Sequence, residues 1–452
     1  MHYSEAIQFL YSLRWFGAKF GLQNTSKLAE LAGNPHRRLR FIHLAGTNGK
    51  GSTAAMLECV YRAAGLRVGL FTSPHLVAFG ERIQVNREPI AKREIARLVE
   101  RMQLLLRQGW PGADSTRDSE RQDRGAGPFQ AHAGDHPTFF EVVTVMALQY
   151  FAAQNCDVVI WETGLGGRLD ATNIVTPMAC IITNIQHDHQ QYLGDTLKSI
   201  AWEKAGIIKP GVPVVTGADA PDALQVIQET ARRLNAPLTI ITAQDAQAPP
   251  LATLPLPLLG EHQKMNAAVC LATIRALEGQ IPVSDSCVHR GLSQVHWPGR
   301  LQVVRRNSQT LLLDGAHNVG GAQMLAAALR RYFPATKPAL LLGILRDKDW
   351  SQMCEILAPL AKRILLVPVP SERTAEPHGL AEVCHRSNPA ASVQEHACLA
   401  DALRETAQEP FVTLAGSLYL IGEAMELLGL SPAKAADERA LNEWASTAPE
   451  RS

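Results

Sequence analysis

The chain has 452 residues, 46% of them hydrophobic and 19% charged, which is enough for more than one buried core. Lys plus Arg (44) and Asp plus Glu (43) nearly cancel, so the formal charge of +1 supplies no long-range field to draw in nucleic acid or an anionic membrane. The eight cysteines form no CxxC pair or zinc-spaced cluster, the first residues lack a basic region followed by an apolar core, and no run reaches the ~18 apolar residues of a membrane span; the expectation is a reduced, cytoplasmic enzyme that holds anions locally.

Short apolar runs of strand type, each followed by helical spacing, lie at 39–45, 158–162, 179–184, 212–216, 310–314 and 339–344. The alternation predicts an α/β fold with mostly parallel sheets flanked by helices, and such sheets take ligands beyond the carboxyl ends of their strands. The stretch Trp297-Pro298-Gly299-Arg300 breaks the pattern, and a new alternation starts at Leu301. This divides the chain into a first domain at 1–296, a second at 297–430 and a short helical or frayed tail at 431–452. The segment 109–137 is rich in Gly, Asp, Arg and Ser and reads as a solvated loop.

The first chemistry-bearing motif is Gly46-Thr47-Asn48-Gly49-Lys50-Gly51-Ser52, between the run ending at Ala45 and a helix expected from about Ala54. Glycines let successive N–H groups converge on phosphate oxygens, a helix N-terminus adds positive potential, and Lys50 adds a point charge. The loop departs from G-x-x-x-x-G-K-[ST], because Leu44 stands at the first glycine position and Gly51 follows the lysine. Next, Glu162 closes an apolar strand and precedes a glycine-rich sequel, where a hard Mg²⁺ ion would find an oxygen donor; a salt bridge or helix cap is the plainer alternative. His187-Asp188-His189 follows another strand, and one imidazole assisting Mg²⁺ suits it better than zinc. A lysine near such a site, Lys204, would be poorly tolerated as an ammonium; as a neutral amine it could take up carbon dioxide as a carbamate (N6-carboxylysine). A helix-surface lysine paired with Glu203 is the alternative.

In this order, Gly46 to Ser52, Thr72-Ser73-Pro74-His75-Leu76, Thr138-Phe139-Phe140-Glu141, Gly166-Gly167-Arg168-Leu169-Asp170-Ala171-Thr172-Asn173, Asp188-His189, Glu203-Lys204-Ala205-Gly206, Asp314-Gly315-Ala316-His317-Asn318 and Gly416-Ser417 resemble the folylpolyglutamate synthase/dihydrofolate synthase family of the Mur-ligase class. The resemblance implies a phosphate-loop domain of mostly parallel sheet followed by a smaller Rossmann-like domain. It implies an ATP-dependent ligase, acting as a monomer, that adds L-glutamate to folates and to dihydropteroate. ATP would meet Thr47, Asn48, Gly49, Lys50, Gly51 and Ser52, with Asn266, Arg300 and Asp314. Magnesium, as two ions, would fall to Ser73, Glu162 and His189 with the modified Lys204. The pterin substrate would meet Ser12, Leu13, Arg14, Trp15, then Thr138, Phe139, Phe140 and Glu141, then Leu169, Asp170 and Ala171; the two phenylalanines could equally be core residues. His317 and Ser417 would hold the incoming glutamate, and Lys50, Lys204 and His317 would act closest to the reacting atoms. A cell-wall precursor ligase would need a further uridine-binding domain, for which about forty residues before the loop are too few. A nucleotide-dependent switch that ligates nothing is the rival of another class.

Overall fold

The structure, a computed structural model, describes residues 1–16, 21–111, 136–306, 308–431 and 438–442. The expected loop at 109–137 and the tail at 431–452 therefore lie largely outside the described residues. Among the described residues the strands form two sheets. The first comprises β1 (Phe41–Ala45), β2 (Val68–Phe71), β3 (Ile83–Val85), β4 (Glu88–Pro89), β5 (Val158–Glu162), β6 (Ala179–Ile182), β7 (Val214–Thr216) and β8 (Leu238–Ile240), in the order β4-β3-β2-β5-β1-β6-β7-β8. Six of them run parallel, and β3 and β4 extend one edge antiparallel.

β1 sits between β5 and β6, with Leu44 level with both Glu162 and Ile181. The chain leaves β1 toward one side of the sheet and later returns to its other side, which makes this a topological switch point. Loops 46–49, 163–170 and 183–189 consequently open side by side at the carboxyl edge. Every residue of β1, β5 and β6 is buried, as expected of strands covered on both faces. Helices Tyr3–Ser12, Lys92–Gly109 and Phe139–Ala153 pack one face, while Lys50–Ala63, Glu261–Ala276 and Asp285–Ser293 pack the other.

The second sheet comprises β9 (Gln302–Arg306), β10 (Gln309–Leu313), β11 (Ala339–Leu342), β12 (Arg363–Leu366), β13 (Ser392–Glu395) and β14 (Phe411–Ala415), ordered β13-β12-β11-β14-β10-β9. All but the antiparallel edge strand β9 are parallel. Its carboxyl edge releases residues 314–317 after β10, 343–348 after β11 and 416–417 after β14. The expected α/β class, a phosphate-loop sheet followed by a smaller Rossmann-like one, describes this arrangement. Among the described residues no helix is long and apolar enough to cross a membrane.

Candidate functional site

The carboxyl edges of both sheets line one cavity of about 730 Å³. At its floor the loop after β1 turns into helix Lys50–Ala63, four residues earlier than the expected start at Ala54. Gly49 permits that start: it sits at φ 86, and a Cβ there would lie 2.5 Å from Asn266 Oδ1. Gly46, at φ 151, lies so near Thr183 that a Cβ would fall 1.9 Å from its Oγ1. Gly51, the residue that breaks the usual loop pattern, packs beneath the Trp297 ring. No side chain caps the helix, so its first N–H groups point at the cavity without a partner of the kind a cap supplies.

Neighbouring loops fix the rest of the turn. Asn184 accepts the Thr47 amide on its carbonyl at 2.9 Å and the Asn48 amide on its side chain at 2.7 Å. The Gln186 amide donates to Thr47 Oγ1 at 3.0 Å. Lys50 Nζ donates to Gly46 O (2.9 Å) and Thr47 O (3.1 Å), and Lys204 Nζ donates to the same Gly46 carbonyl at 2.9 Å. Two ammonium-bearing side chains thus converge on one loop. Burial, and then the Lys50 charge, brings the Lys204 amine down to about 7. Lys204 is 5% exposed, and Glu203 pairs with Arg168 at 2.8 Å instead, so Lys204 is not a surface residue paired with its neighbour.

Glu162 lies at the end of β5 and accepts the Ser73 amide at 3.1 Å. Burial pushes its carboxyl up to about 7 against the pull of Lys50. Asp170 is committed to its own loop, accepting the amides of Gly164 (3.0 Å), Leu165 (2.8 Å) and Thr172 (3.0 Å). These bonds shape the glycine-rich segment, with Leu169 and Ala171 beside it at the cavity. Asn266 donates to Gln263 at 3.0 Å, and Gln263 in turn donates to Ser52 Oγ at 3.3 Å, which ties the helix at 261–276 to the phosphate loop.

From the second sheet come Arg300, Asp314, His317 and Ser417. Asp314 accepts the amides of Leu301 (2.7 Å) and Ala316 (2.9 Å) and faces the half-buried Arg300. His317 Nδ1 lies 2.8 Å from the Gly315 carbonyl, which fixes the proton on Nδ1 and leaves the Nε2 lone pair, 3.8 Å from Asp188. Burial and then Lys348 bring this imidazole down to about 4, and the same causes bring His189 to about 3. Ser417 caps helix Leu418–Leu427 through the Tyr419 amide.

Two members of the site are not singled out by sequence reasoning. Lys348, after β11, pairs with the buried Asp188 at 2.6 Å. Burial works against ionisation of Asp188, but His189, Lys348 and His317 together hold the carboxyl well below the usual range. Arg82, between the Thr72 to Leu76 motif and β3, is 3% exposed and lines the cavity. The available signal was a charged residue at each place, beside an otherwise apolar strand.

The N-terminal segment expected to meet the pterin is only partly at the cavity. Arg14 lines it, whereas Ser12 donates to Phe9 O at 2.7 Å and Leu13 is 2% exposed within the core. Trp15 lies in the turn Leu13–Phe16. Thr138 and Glu141 form a reciprocal cap on helix Phe139–Ala153: the Thr138 amide donates to Glu141 at 2.7 Å and the Glu141 amide to Thr138 Oγ1 at 3.3 Å. Phe139 is buried against Phe79, and Phe140 packs under Gly164 and beside Phe71; both rings belong to the core and border the cavity.

Residues 299–418 match the family model described as Mur ligase, glutamate ligase domain. The dihydrofolate synthase/folylpolyglutamate synthase of Bacillus subtilis is 34% identical over 446 residues, covering 94% of this chain and 99% of that protein. The crystal structure of folylpolyglutamate synthase from Thermotoga maritima superposes with a TM-score of 0.78 at 31% identity, over 97% of this chain and 98% of that one. E. coli FolC in complex with DHPP and ADP gives a TM-score of 0.78 at 28% identity, over 95% and 98%. Likeness at this level, spread over nearly the whole length and over both sheets that build the cavity, means that the chain belongs to the folylpolyglutamate synthase/dihydrofolate synthase family.

Proposed function

We propose that the chain is an ATP-dependent ligase that joins L-glutamate to a folate, and to dihydropteroate, through an acyl phosphate. The observation that carries this reading is the single cavity in which the glycine-rich loop and Lys50 meet Arg300 and His317 from the other sheet. A substrate carboxylate oxygen attacks the γ-phosphorus of ATP, the bond to the ADP oxygen breaks, and the glutamate amine then attacks the acyl carbon and expels phosphate. Carboxylate and triphosphate repel each other. Lys50, Arg300 and the uncapped helix N-terminus offset that repulsion and stabilise charge on the transferring group. His317 Nε2, neutral and carrying a lone pair, is suited to accept a hydrogen bond from the incoming amine. Asn266 and Asp314 hold the loop and Arg300 in register, and Ser417, which lines the cavity, would meet the incoming glutamate.

The donors fit magnesium. Glu162, the Ser73 hydroxyl and His189 are hard or borderline ligands at the cavity, and a buried carboxylate whose burial disfavours its charge gains from a cation. Among the described residues no three or more His, Cys, Asp or Glu cluster as a self-sufficient metal site, so ions here would depend on nucleotide phosphates as well. Bound Mg²⁺ would supply neutralisation of phosphate charge. The buried Lys204 amine is suited to react with carbon dioxide, losing a proton and becoming an anionic carbamate that could support a second ion. One chain supplies both sides of the cavity, so a monomer suffices. An ADP-release assay with ATP, a folate and glutamate, each omitted in turn, tests the reading: release should require all three, and equal release without folate and glutamate would favour a nucleotide switch.

A further inference from the structure

Arg82 is a buried guanidinium whose hydrogen-bond partners are neutral, while Glu81 and Glu162 act on it only through space. Its Nε donates to His75 Nδ1 at 2.9 Å, its Nη2 donates to Asn442 Oδ1, and its face lies 5.4 Å from the centre of the Phe139 ring. Among the described residues it forms no ion pair with a carboxylate, and Nη1 has no hydrogen-bond partner. Burial brings it down to about 10. A cation taken out of water without an anion in direct contact is costly, and a guanidinium bordering a cavity is suited to take a carboxylate.

The groups that aim Arg82 come from the far end of the chain. The turn Arg439–Asn442, with Glu438 before it, docks beside residues 75–82. Glu438 accepts the Phe79 amide on its carboxylate at 2.8 Å and His75 Nε2–H on its carbonyl at 2.9 Å. That bond fixes the His75 tautomer, leaving Nδ1 as the acceptor for Arg82. Asn442 donates to His75 O at 2.9 Å while accepting from Arg82. Leu441 is 1% exposed in the core behind them. Partners about 360 residues apart thus meet at one guanidinium, and Leu441 and Asn442 themselves line the cavity.

We infer that Arg82 anchors a carboxylate of the folate or glutamate substrate, and that Glu438 and Asn442, acting through His75, are positioning residues that hold it for that purpose. The inference rests on the ligase reading above. Asn442 is the informative position because it is polar yet uncharged. An Asn442→Asp change keeps the acceptor for Arg82, gives up the donor to His75 O, and places in the site the anion that the substrate would otherwise bring.

The test compares Asn442→Asp and Asn442→Leu with the wild-type protein. Melting temperature, the KM values for a folate, glutamate and ATP, and thermal-shift titrations with pteroate, pteroylglutamate and L-glutamate are measured. Asn442→Asp exchanges the hydrogen bond it donates to His75 O for an ion pair with Arg82, so it should still unfold cooperatively with a melting temperature near wild type, yet raise the KM for folate or for glutamate about tenfold with the ATP KM unchanged. Which of the two rises identifies the carboxylate. Asn442→Leu should raise the same KM. Wild-type KM values and titrations for Asn442→Asp would overturn the inference. If the wild-type protein itself releases no ADP on adding folate and glutamate, the ligase reading fails instead, and the titrations still decide whether a carboxylate binds at Arg82.

Discussion

At the scale of single residues the cavity is governed by charge held under burial. Lys50→Ala leaves Arg300 and backbone dipoles without the loop's own cation against phosphate charge, so ligation should fall at least about a hundredfold, the scale of losing one electrostatic stabiliser of a transition state. Steady-state kinetics checks this, and more than half the wild-type rate would contradict the phosphate role. Lys204 makes a prediction about pH. Its folded value, about 7, lies below that of a free lysine, so between the two the unfolded chain binds the extra proton and stability rises with pH across that window. Below about pH 7 the fold bears a buried ammonium beside Lys50. Lys204→Met should therefore melt above wild type at pH 6 in carbon dioxide-free buffer, with the advantage shrinking by pH 9; a constant difference would contradict it. The residues legible in the sequence were those in glycine-rich or strand-end motifs, such as Lys50 and Glu162. Arg82 and Lys348 were not, because their roles depend on partners 360 and 160 residues away, Asn442 for one and Asp188 for the other.

At the scale of elements, the apolar runs expected at 39–45, 158–162 and 179–184 are the buried strands β1, β5 and β6, whereas β2, β12 and β14, also largely buried, were not singled out. The short edge strands β8 and β13 carry mixed burial and gave no such signal. The helix at 50–63 was expected late because Gly51 and Ser52 are weak helix formers; Gly49 in a left-handed conformation and packing under Trp297 override that preference. Backbone approach at the loop predicts that Gly46→Ala, whose Cβ would collide with Thr183, abolishes nucleotide binding with a small change in overall melting, measured by ATP titration. Thr138→Ala removes an observed cap on helix Phe139–Ala153 and should cost about 1 kcal/mol in urea unfolding. Phe140→Ala should raise the folate KM and leave the ATP KM nearly unchanged. Equal effects on both would assign the ring to the core alone.

At the scale of the whole molecule, two sheets meet across polar bridges that no local pattern announces. Asn318 contacts Asn48 at 3.1 Å and Asp188 at 3.0 Å, while Lys348 closes on Asp188 from the same side. Removing one partner of a buried pair strands the other, so Lys348→Ala should destabilise by about 3 kcal/mol or more and lower kcat by loosening the second sheet over the cavity. Unchanged melting and kcat would show the bridge to be incidental. The central claim is that one cavity activates a carboxylate by phosphorylating it and then passes the acyl group to an amine. Oxygen-18 in the reacting carboxylate of the folate substrate tests this most directly, by mass analysis of the phosphate released after one turnover. The account predicts one labelled oxygen in each phosphate, because that oxygen bridges carbon and phosphorus and leaves with phosphorus; unlabelled phosphate accompanying labelled amide product would contradict it.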